Sequence, residues 1–155
     1  MELVSSFLQA AGAEARIEEF AEGTPTAEDA ANAVGCSLGQ IVKSLLFDCD
    51  GRSVLALVPG DRRADARKVA AAAGCTKARI AGPDRVRRVT GFDPGAVAPF
   101  PLPRVERVLI DPQLLRHDVV WIGAGSERHL AVVPPSELVR LARAEPADVS
   151  EDPPL

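Results

Sequence analysis

The sequence predicts an α+β fold in which helices and strands alternate irregularly around a mixed or antiparallel sheet. Asp50-Gly51 separates two apolar segments, and this dipeptide is typical of the two-residue turn of an antiparallel hairpin. The other segments follow no regular strand–helix–strand repeat, which argues against a purely parallel sheet. The 155 residues, of which 46% are hydrophobic and 26% charged, suit one globular domain over residues 1–155.

Helices are predicted where apolar residues recur at helical spacing next to capping residues. Thr26 can cap the second helix and Gly35 can end it, while Ser136 can cap the last helix. Pro83 suits the first turn of the fourth helix. Helices are therefore expected over residues 2–12, 26–35, 64–73, 83–89 and 136–143.

Strands are predicted from short apolar or alternating segments that turn residues bound on both sides. The polar tail from about residue 145 to residue 155 is expected to fray. Strands are expected over residues 14–20, 41–48, 53–58, 77–80, 105–110, 117–122 and 129–133.

The composition excludes several kinds of site. The odd set of Cys36, Cys49 and Cys75 contains no C-x-x-C pair, so we expect packing cysteines, no disulfide scaffold and a reducing cytoplasm. The chain's two histidines, His117 and His129, belong to no cluster at metal-ligand spacing, so no metal is expected. The amino terminus lacks a signal-peptide pattern and no apolar run approaches ~18 residues, so no membrane partner is expected.

Lys43 is the first candidate functional residue. On a strand it shares one face with Ile41 and Leu45, which surrounds an ammonium group with large apolar side chains. Because an unpaired buried charge is costly, the simpler interpretation is a lysine that faces solvent or snorkels out to it. The alternative is a functional lysine, either held as a cation for a phosphate or oxyanion or lowered in pKa. The chain uses 15 Arg and only 3 Lys, which favours a specific role for this lysine.

Two glycine-rich segments are further candidates. Residues 95–99 read G-x-x-x-P and present successive backbone N–H groups, which can bind an oxyanion or a phosphate; a rigid connector is an equal alternative. Residues 123–128 favour a hairpin turn, with a pocket wall at Gly125 and Ser126 as the functional alternative. No P-loop, G-x-G-x-x-G or G-x-S-x-G motif occurs.

Five segments, taken in their order along the chain, resemble a known family. They are residues 24–31, 34–47, 54–61, 90–100 and 123–125. The chain resembles, over about residues 3–148, the YbaK/ProX family of aminoacyl-tRNA deacylases, which also occurs as the editing domain of bacterial prolyl-tRNA synthetases. The strand lysine and the G-x-x-x-P loop are specific in combination, although each alone would be weak.

The resemblance implies a compact α+β domain with surrounding helices and a mixed, mostly antiparallel, partly closed sheet. It implies hydrolysis of the ester between tRNA and a wrong amino acid, most often alanine or cysteine on tRNA for proline, without a metal or organic cofactor. Lys43 matches the family's catalytic lysine. The substrate-binding positions that we carry over or place beside it are Ser44, Gly91, Gly95, Ala96, Val97, Pro99, Gly123, Gly125 and Ser126.

Two departures bear on specificity. Ser44 stands where the family often has Thr or Asn, and residues 125–130 lack the His-Pro-Leu-x-Asn element of some alanine-selective members, so alanine specificity does not follow. In the expected chemistry, a cationic Lys43 holds phosphate or ribose oxygens while the N–H groups of residues 95–97 receive the developing oxyanion and water attacks. The alternative is a neutral Lys43 that acts as general base.

The net charge of −4 conceals a segregation that bears on the partner. Residues 1–61 carry a net charge of −7, residues 62–117 carry +7 and residues 118–155 carry −4. The basic block predicts a side that contacts the phosphates of a tRNA acceptor end, with a solvated helical face as the alternative. The candidate tRNA contacts are Arg62, Arg63, Arg67, Lys68, Arg85, Arg87 and Arg88.

Mischarged tRNA is thus the expected partner of a cytoplasmic editing hydrolase, and prolyl-tRNA synthetase is a further candidate partner. Two other hypotheses remain open. One is a non-catalytic module of the same fold that binds tRNA or a synthetase, and the other is a hydrolase of small acyl esters.

Overall fold

The computed structural model describes residues 2–13 and 15–152, which form five α-helices and eight strands. The helices are α1 (Glu2–Ala10), α2 (Ala27–Val34), α3 (Ala66–Ala73), α4 (Pro83–Thr90) and α5 (Pro135–Ala142). The strands are β1 (Arg16–Glu19), β2 (Val42–Cys49), β3 (Arg52–Pro59), β4 (Ala78–Ile80), β5 (Arg107–Ile110), β6 (Val120–Ser126), β7 (His129–Val133) and β8 (Ala144–Pro146). Short 3-10 helices cover Leu38–Gln40 and Pro112–Arg116.

The strands form two sheets rather than one. The smaller is antiparallel with the order β1-β7-β6, and the larger has the order β4-β2-β3-β5-β8. In the larger sheet β2 pairs antiparallel with β3 and β4, whereas β5 pairs parallel with β3 and β8. The α+β class is confirmed, but the partly closed single sheet is wrong: neither sheet closes, and a β-bridge between Ile41 and Trp121 joins the two.

The hairpin of β2 and β3 follows the sequence closely. Asp50 and Gly51 take φ values of 55° and 88°, which are the left-handed values that a tight hairpin turn needs at both central residues. The resulting register pairs Lys43 with Val58. As predicted, alternate side chains of β2 point to opposite faces: Leu46 packs into the core between the sheets, and Phe47 packs into the core beneath α3.

Three apolar clusters hold the elements together. The largest lies between the two sheets and includes side chains of α1, α4 and α5. A second packs α3 against the larger sheet. The third packs α2 against the smaller sheet, where Ala30 and Ala31 of the helix share a cluster with Ile41, Trp121 and Leu130. This third cluster places the start of α2 close to the start of β2.

Helix ends agree with the predictions at one helix and disagree at another. The Thr26 side chain accepts a hydrogen bond from the Asp29 N–H and caps α2, which ends at Gly35 in a left-handed conformation. The predicted cap at Ser136 is wrong, because α5 begins one residue earlier at Pro135, with Pro134 as its N-cap and no side-chain cap. A proline with fixed φ at the first helical position starts the helix without a capping side chain.

Two expectations fail because they depend on residues far apart in the chain. Cys49 and Cys75 form a disulfide with a Cα–Cα distance of 5.8 Å, since the pairing of β4 with β2 brings the end of α3 beside Cys49. The cysteines therefore no longer argue for a reducing compartment. Cys36 is free and packs against the third apolar cluster, as predicted. The fraying predicted from about residue 145 is wrong as far as residue 152, because β8 pairs with β5. Residues 153–155 lie outside the described residues.

Candidate active site

A cavity of about 330 Å³ lies at the amino-terminal end of β2. This volume is at the lower end of the range for small-molecule sites, so it suits a small ligand group. The walls come from four regions that are distant in the sequence: residues 24–27 with Ala30 of α2, residues 41–45, the loop at Gly95 and Val97, and the smaller sheet at Gly123 and Leu130.

Lys43 lines this cavity and is half-buried. Its ammonium group donates a hydrogen bond to the backbone carbonyl of Arg62, so the side chain is held at the cavity rather than freely solvated. Burial lowers the pKa of Lys43; the Asp61 carboxylate opposes this effect and the Arg63 guanidinium adds to it. The lysine therefore loses its proton more readily than an ordinary lysine when no phosphate is bound beside it.

The Ser44 hydroxyl also lies at the cavity and is buried, with no hydrogen-bond partner among the described residues. An unsatisfied buried polar group costs about 1–3 kcal/mol. A ligand that hydrogen-bonds this hydroxyl would recover that cost, so Ser44 is the clearest polar contact that the empty chain offers to a bound molecule.

The G-x-x-x-P loop contributes two backbone donors rather than three. The Ala96 N–H donates to the Asp93 carbonyl at 2.9 Å, and Ala96 does not line the cavity. The N–H groups of Gly95 and Val97 have no partner in the described part of the chain, and both residues line the cavity. A Cβ atom at Gly123 would stand 2.9 Å from the Val97 carbonyl oxygen, so glycine there lets the strand approach the loop.

Five predicted positions meet at the cavity: Lys43, Ser44, Gly95, Val97 and Gly123. Five do not, namely Gly91, Ala96, Pro99, Gly125 and Ser126. Gly91 ends α4, and Pro99 lines a separate groove beside α5. The turn predicted over residues 123–128 is shorter than expected, because β6 continues through Ser126. The Ser126 hydroxyl lies 2.6 Å from the His129 Nδ1 and is hydrogen-bonded to it.

Thr24 is the site residue that the sequence analysis missed. Its side chain lines the cavity, it is only 8% exposed, and its backbone N–H and its hydroxyl both donate to the Glu127 carbonyl, at 2.6 and 3.2 Å. These bonds tie the cavity wall at residues 24–27 to the turn between β6 and β7. The segment was part of the family resemblance, but only contact across 103 residues of chain reveals this role.

The basic block divides into groups with different surroundings. The Arg62 backbone carbonyl and the Arg63 side chain lie beside Lys43, and the Arg62 guanidinium acts on Asp152. Three of the predicted tRNA contacts form ion pairs within the chain: Lys68 with Asp148 and Asp152, Arg85 with Asp48, and Arg87 with Asp93. The side chains of Arg67 and Arg88 are exposed and make no ion pair with other described residues. Only the first group is therefore placed next to the cavity.

Within the described residues, no cluster of His, Cys, Asp and Glu is arranged to hold a metal ion, and no helix is long and apolar enough to cross a membrane.

The fold and the cavity define the class of protein once they are compared with known families. Residues 21–141 match the aminoacyl-tRNA editing domain. The chain belongs to this family, and the resemblance to YbaK-like deacylases is confirmed.

Its relatives include freestanding and synthetase-embedded proteins. The uncharacterised protein YwhH of Bacillus subtilis is 36% identical over 79% of this chain and 78% of its own length. The deacylase ProXp-y of Escherichia coli, named as a multifunctional Ser/Thr-tRNA deacylase, is 30% identical over 72% of this chain and 70% of its own length. The proline–tRNA ligase of Nitratidesulfovibrio vulgaris is 37% identical over 72% of this chain but only 20% of the ligase.

Among solved structures, a protein described as a candidate trans-editing enzyme for prolyl tRNA synthetase superposes with a TM-score of 0.91. The two chains are 36% identical, and the match covers 97% of this chain and 96% of that one.

Proposed function

We propose that this protein hydrolyses the ester bond of mischarged aminoacyl-tRNA, with the aminoacyl group bound in the cavity at the start of β2. The observation that carries the proposal is the meeting of Lys43, the unpaired Ser44 hydroxyl and two unpaired backbone N–H groups around one small cavity, in a chain of the editing-domain family. A non-catalytic binding module has no need of this combination.

In the proposed reaction, Lys43 binds phosphate or ribose oxygens of the terminal nucleotide as a cation. The bound phosphate raises the pKa of the lysine and so opposes the effect of burial. The oxygen of a water molecule attacks the ester carbonyl, and the N–H groups of Gly95 and Val97 stabilise the oxyanion, each by about 3–4 kcal/mol. The ester C–O bond then breaks, one proton of the water passes to the leaving ribose oxygen to give the hydroxyl, the other is released to solvent, and the amino acid leaves as a carboxylate.

The favoured substrates are cysteine or alanine esters of tRNA for proline. Synthetases discriminate against a missing methylene by only about 1–3 kcal/mol, which is why small wrong amino acids need a second site. The unpaired Ser44 hydroxyl favours a side chain that can hydrogen-bond, which supports cysteine over alanine. The same observation adds serine and threonine as candidates, and ProXp-y is named for these two amino acids.

We further propose that residues 1–155 act as one domain in the cytoplasm, in trans to prolyl-tRNA synthetase. Arg62 and Arg63 are the proposed contacts for the acceptor end nearest the cavity. Phosphate contacts release counterions, so turnover of tRNA should weaken steeply with salt, whereas turnover of a small neutral ester should not.

The test is a deacylation panel. Transfer RNA for proline and two unrelated tRNAs, each charged with Ala, Cys, Ser or Thr, are incubated with the protein at low and high salt, with and without prolyl-tRNA synthetase. We expect salt-sensitive hydrolysis of at least one non-cognate ester. Tight binding of every charged tRNA without hydrolysis would favour the binding module, and salt-independent hydrolysis of small esters alone would favour the small-ester hydrolase.

A further inference from the structure

The end of the described chain is paired with the segment that follows β3. Residues 147–152, here called the C-terminal strap, run antiparallel to residues 61–65, here called the post-β3 segment. The Asp65 N–H donates to the Val149 carbonyl at 2.8 Å, and the Glu151 N–H donates to the Arg63 carbonyl at 2.7 Å. A β-bridge between Ala64 and Ser150 lies between these two bonds.

The strap is anchored on the side facing the core. Val149 is fully buried in the cluster beneath α3. The Ser150 hydroxyl donates to the Asp111 carboxylate at 2.7 Å, and both residues are 3% exposed or less. Because the strap is buried and hydrogen-bonded, it is held in one position relative to the larger sheet.

Lys68 anchors the strap from the outside. Its ammonium group lies 2.9 Å from the Asp148 carboxylate, 2.8 Å from the Asp152 carboxylate and 2.8 Å from the Ser150 carbonyl oxygen. Three acceptors satisfy the three N–H donors of a lysine ammonium group. Although sequence analysis assigned Lys68 to tRNA binding, its donors are already occupied within the chain.

The post-β3 segment is the part of the protein that holds Lys43. The Arg62 carbonyl accepts the Lys43 hydrogen bond, and the two neighbouring side chains, Asp61 and Arg63, are the charged groups that act on the lysine. The strap contacts this segment directly after Arg62. The position of the lysine therefore depends on whether the strap holds the segment in place.

We propose that the C-terminal strap is a positioning element for Lys43, and that Lys68 is the positioning residue that fastens it. The strap lies beyond residues 21–141, so the match to the editing domain does not include it. Its effect on catalysis rests on the proposed function, whereas its effect on the environment of Lys43 does not. A strap that merely closes the core beneath α3 would stabilise the fold without changing Lys43.

The chain contains three lysines, which makes the test direct. Labelling with a small amine-reactive reagent across a range of pH, read by mass spectrometry, gives an apparent pKa for each lysine. Exposed Lys77 serves as the internal reference. In the wild type the apparent pKa of Lys43 should lie below that of Lys77, because burial is the largest effect on it.

In Lys68→Met the strap loses its outer anchor and holds the post-β3 segment less firmly, so the Lys43 ammonium reaches water more easily and its apparent pKa should rise toward that of Lys77. The deacylation kcat should fall about fivefold with little change in KM, since the Arg62 carbonyl that orients Lys43 is held less firmly. Lys68→Arg keeps the charge, so the apparent pKa of Lys43 and the deacylation kcat should both return most of the way to their wild-type values. Glu145→Gln is the matched control, because it removes the ion pair between Glu145 of β8 and Arg107 of β5 without touching the post-β3 segment.

If Lys68→Met does not fold, the double variant Asp148→Asn with Asp152→Asn removes the two ion pairs of the same anchor from the strap side and leaves the Ser150 carbonyl. An unchanged Lys43 pKa in a folded variant whose strap exchanges hydrogen for deuterium faster than in the wild type would overturn the proposal. If the wild type deacylates no tRNA, the proposed function fails, but the pKa of Lys43 still decides the role of the strap.

Discussion

The two ends of strand β2 use polar groups in opposite ways. At the carboxyl end, the Asp48 carboxylate pairs with Arg85 at 2.9 Å and accepts the Gly51 N–H at 2.7 Å. Asp50 binds the N–H groups of Thr76 and Lys77 at 2.7 and 3.2 Å, which lowers the pKa of its carboxyl group. The disulfide between Cys49 and Cys75 ties the same two regions together.

At the amino-terminal end, polar groups are placed at a cavity and left incompletely paired. The Ser44 hydroxyl has no partner among the described residues, and Gly95 and Val97, whose N–H groups have none in the described part of the chain, line the same cavity. Native proteins pair nearly all buried polar groups, so the buried, unpaired Ser44 hydroxyl indicates that a ligand completes it. The Arg85 Nε at the other end is also buried without a partner among the described residues, but the same guanidinium is already held by Asp48, the Gly51 carbonyl and the Ser53 hydroxyl. The comparison separates an end of the strand that stabilises the fold from an end that we propose binds the substrate.

The largest expected effect is that of Lys43→Ala. The deacylation rate in single turnover should fall by about 100-fold, because the terminal nucleotide is no longer held with its ester in position for attack. The free energy of unfolding, measured with denaturant, should fall by no more than about 1–2 kcal/mol, because one hydrogen bond to the Arg62 carbonyl is lost. Lys77→Ala, at the opposite end of β2, is the control and should match the wild type.

The next effect is that of Gly123→Ala, which tests the close approach of β6 to the G-x-x-x-P loop. The added Cβ would stand 2.9 Å from the Val97 carbonyl, so the loop must shift and its N–H donors move with it. We expect about a tenfold loss of kcat and about 1–3 kcal/mol of destabilisation from overpacking. Gly82→Ala is the matched control, because a Cβ there meets no atom within 4 Å; equal effects of the two variants would contradict this account of Gly123.

A smaller effect is expected for Thr24→Val, which removes one of two hydrogen bonds to the Glu127 carbonyl. KM should rise about threefold to tenfold and kcat should change little. The reason is that the lost hydrogen bond contributes about 1 kcal/mol to holding the cavity wall in place. Trp121, the chain's one tryptophan, packs against α2, so its fluorescence should become easier to quench with acrylamide.

Two variants decide whether this effect is local. Thr24→Ser keeps the hydroxyl and should restore KM. Thr90→Val removes another buried threonine hydroxyl, one that bonds the Val86 carbonyl within α4, and should leave KM and the Trp121 signal unchanged. The same rise of KM in Thr90→Val would show that general destabilisation is the cause.

The smallest effect is expected at the other end of the strand. Asp48→Asn removes the ion pair with Arg85 but keeps an oxygen that can accept the Gly51 N–H. Both side chains are partly exposed, so the loss of stability should be about 0.5–1 kcal/mol, and kcat and KM should not change. If Asp48→Asn lost more free energy of activation, from kcat/KM, than free energy of unfolding, the distinction between the two ends of β2 would be contradicted.

Local patterns predicted the parts of the molecule that depend on neighbouring residues. The turn at Asp50-Gly51, the cap at Thr26 and the alternation along β2 all follow from residues within a few positions of each other. The candidate site was predicted because the strand lysine and the G-x-x-x-P loop carry a recognisable combination. The structure adds that the Ala96 N–H is already used by Asp93.

The features that the sequence could not predict depend on partners far along the chain. Cys49 and Cys75 are brought together by the pairing of β4 with β2, and β8 forms only because β5 offers a parallel edge. Thr24 has its role only because Glu127 lies opposite it. Such contacts follow from the packing of whole sheets, and no periodicity in either segment indicates them.

The most direct test of the central claim is an NMR titration with a non-hydrolysable aminoacyl-adenosine analogue, in which an amide replaces the ester. If the amino-terminal end of β2 is the binding end, the backbone amides of residues 43–45, 95–97 and 123 should shift on saturation, and those of residues 48–53 should not. Shifts confined to residues 48–53, or to the groove that Pro99 lines, with residues 43–45 unchanged, would contradict the account.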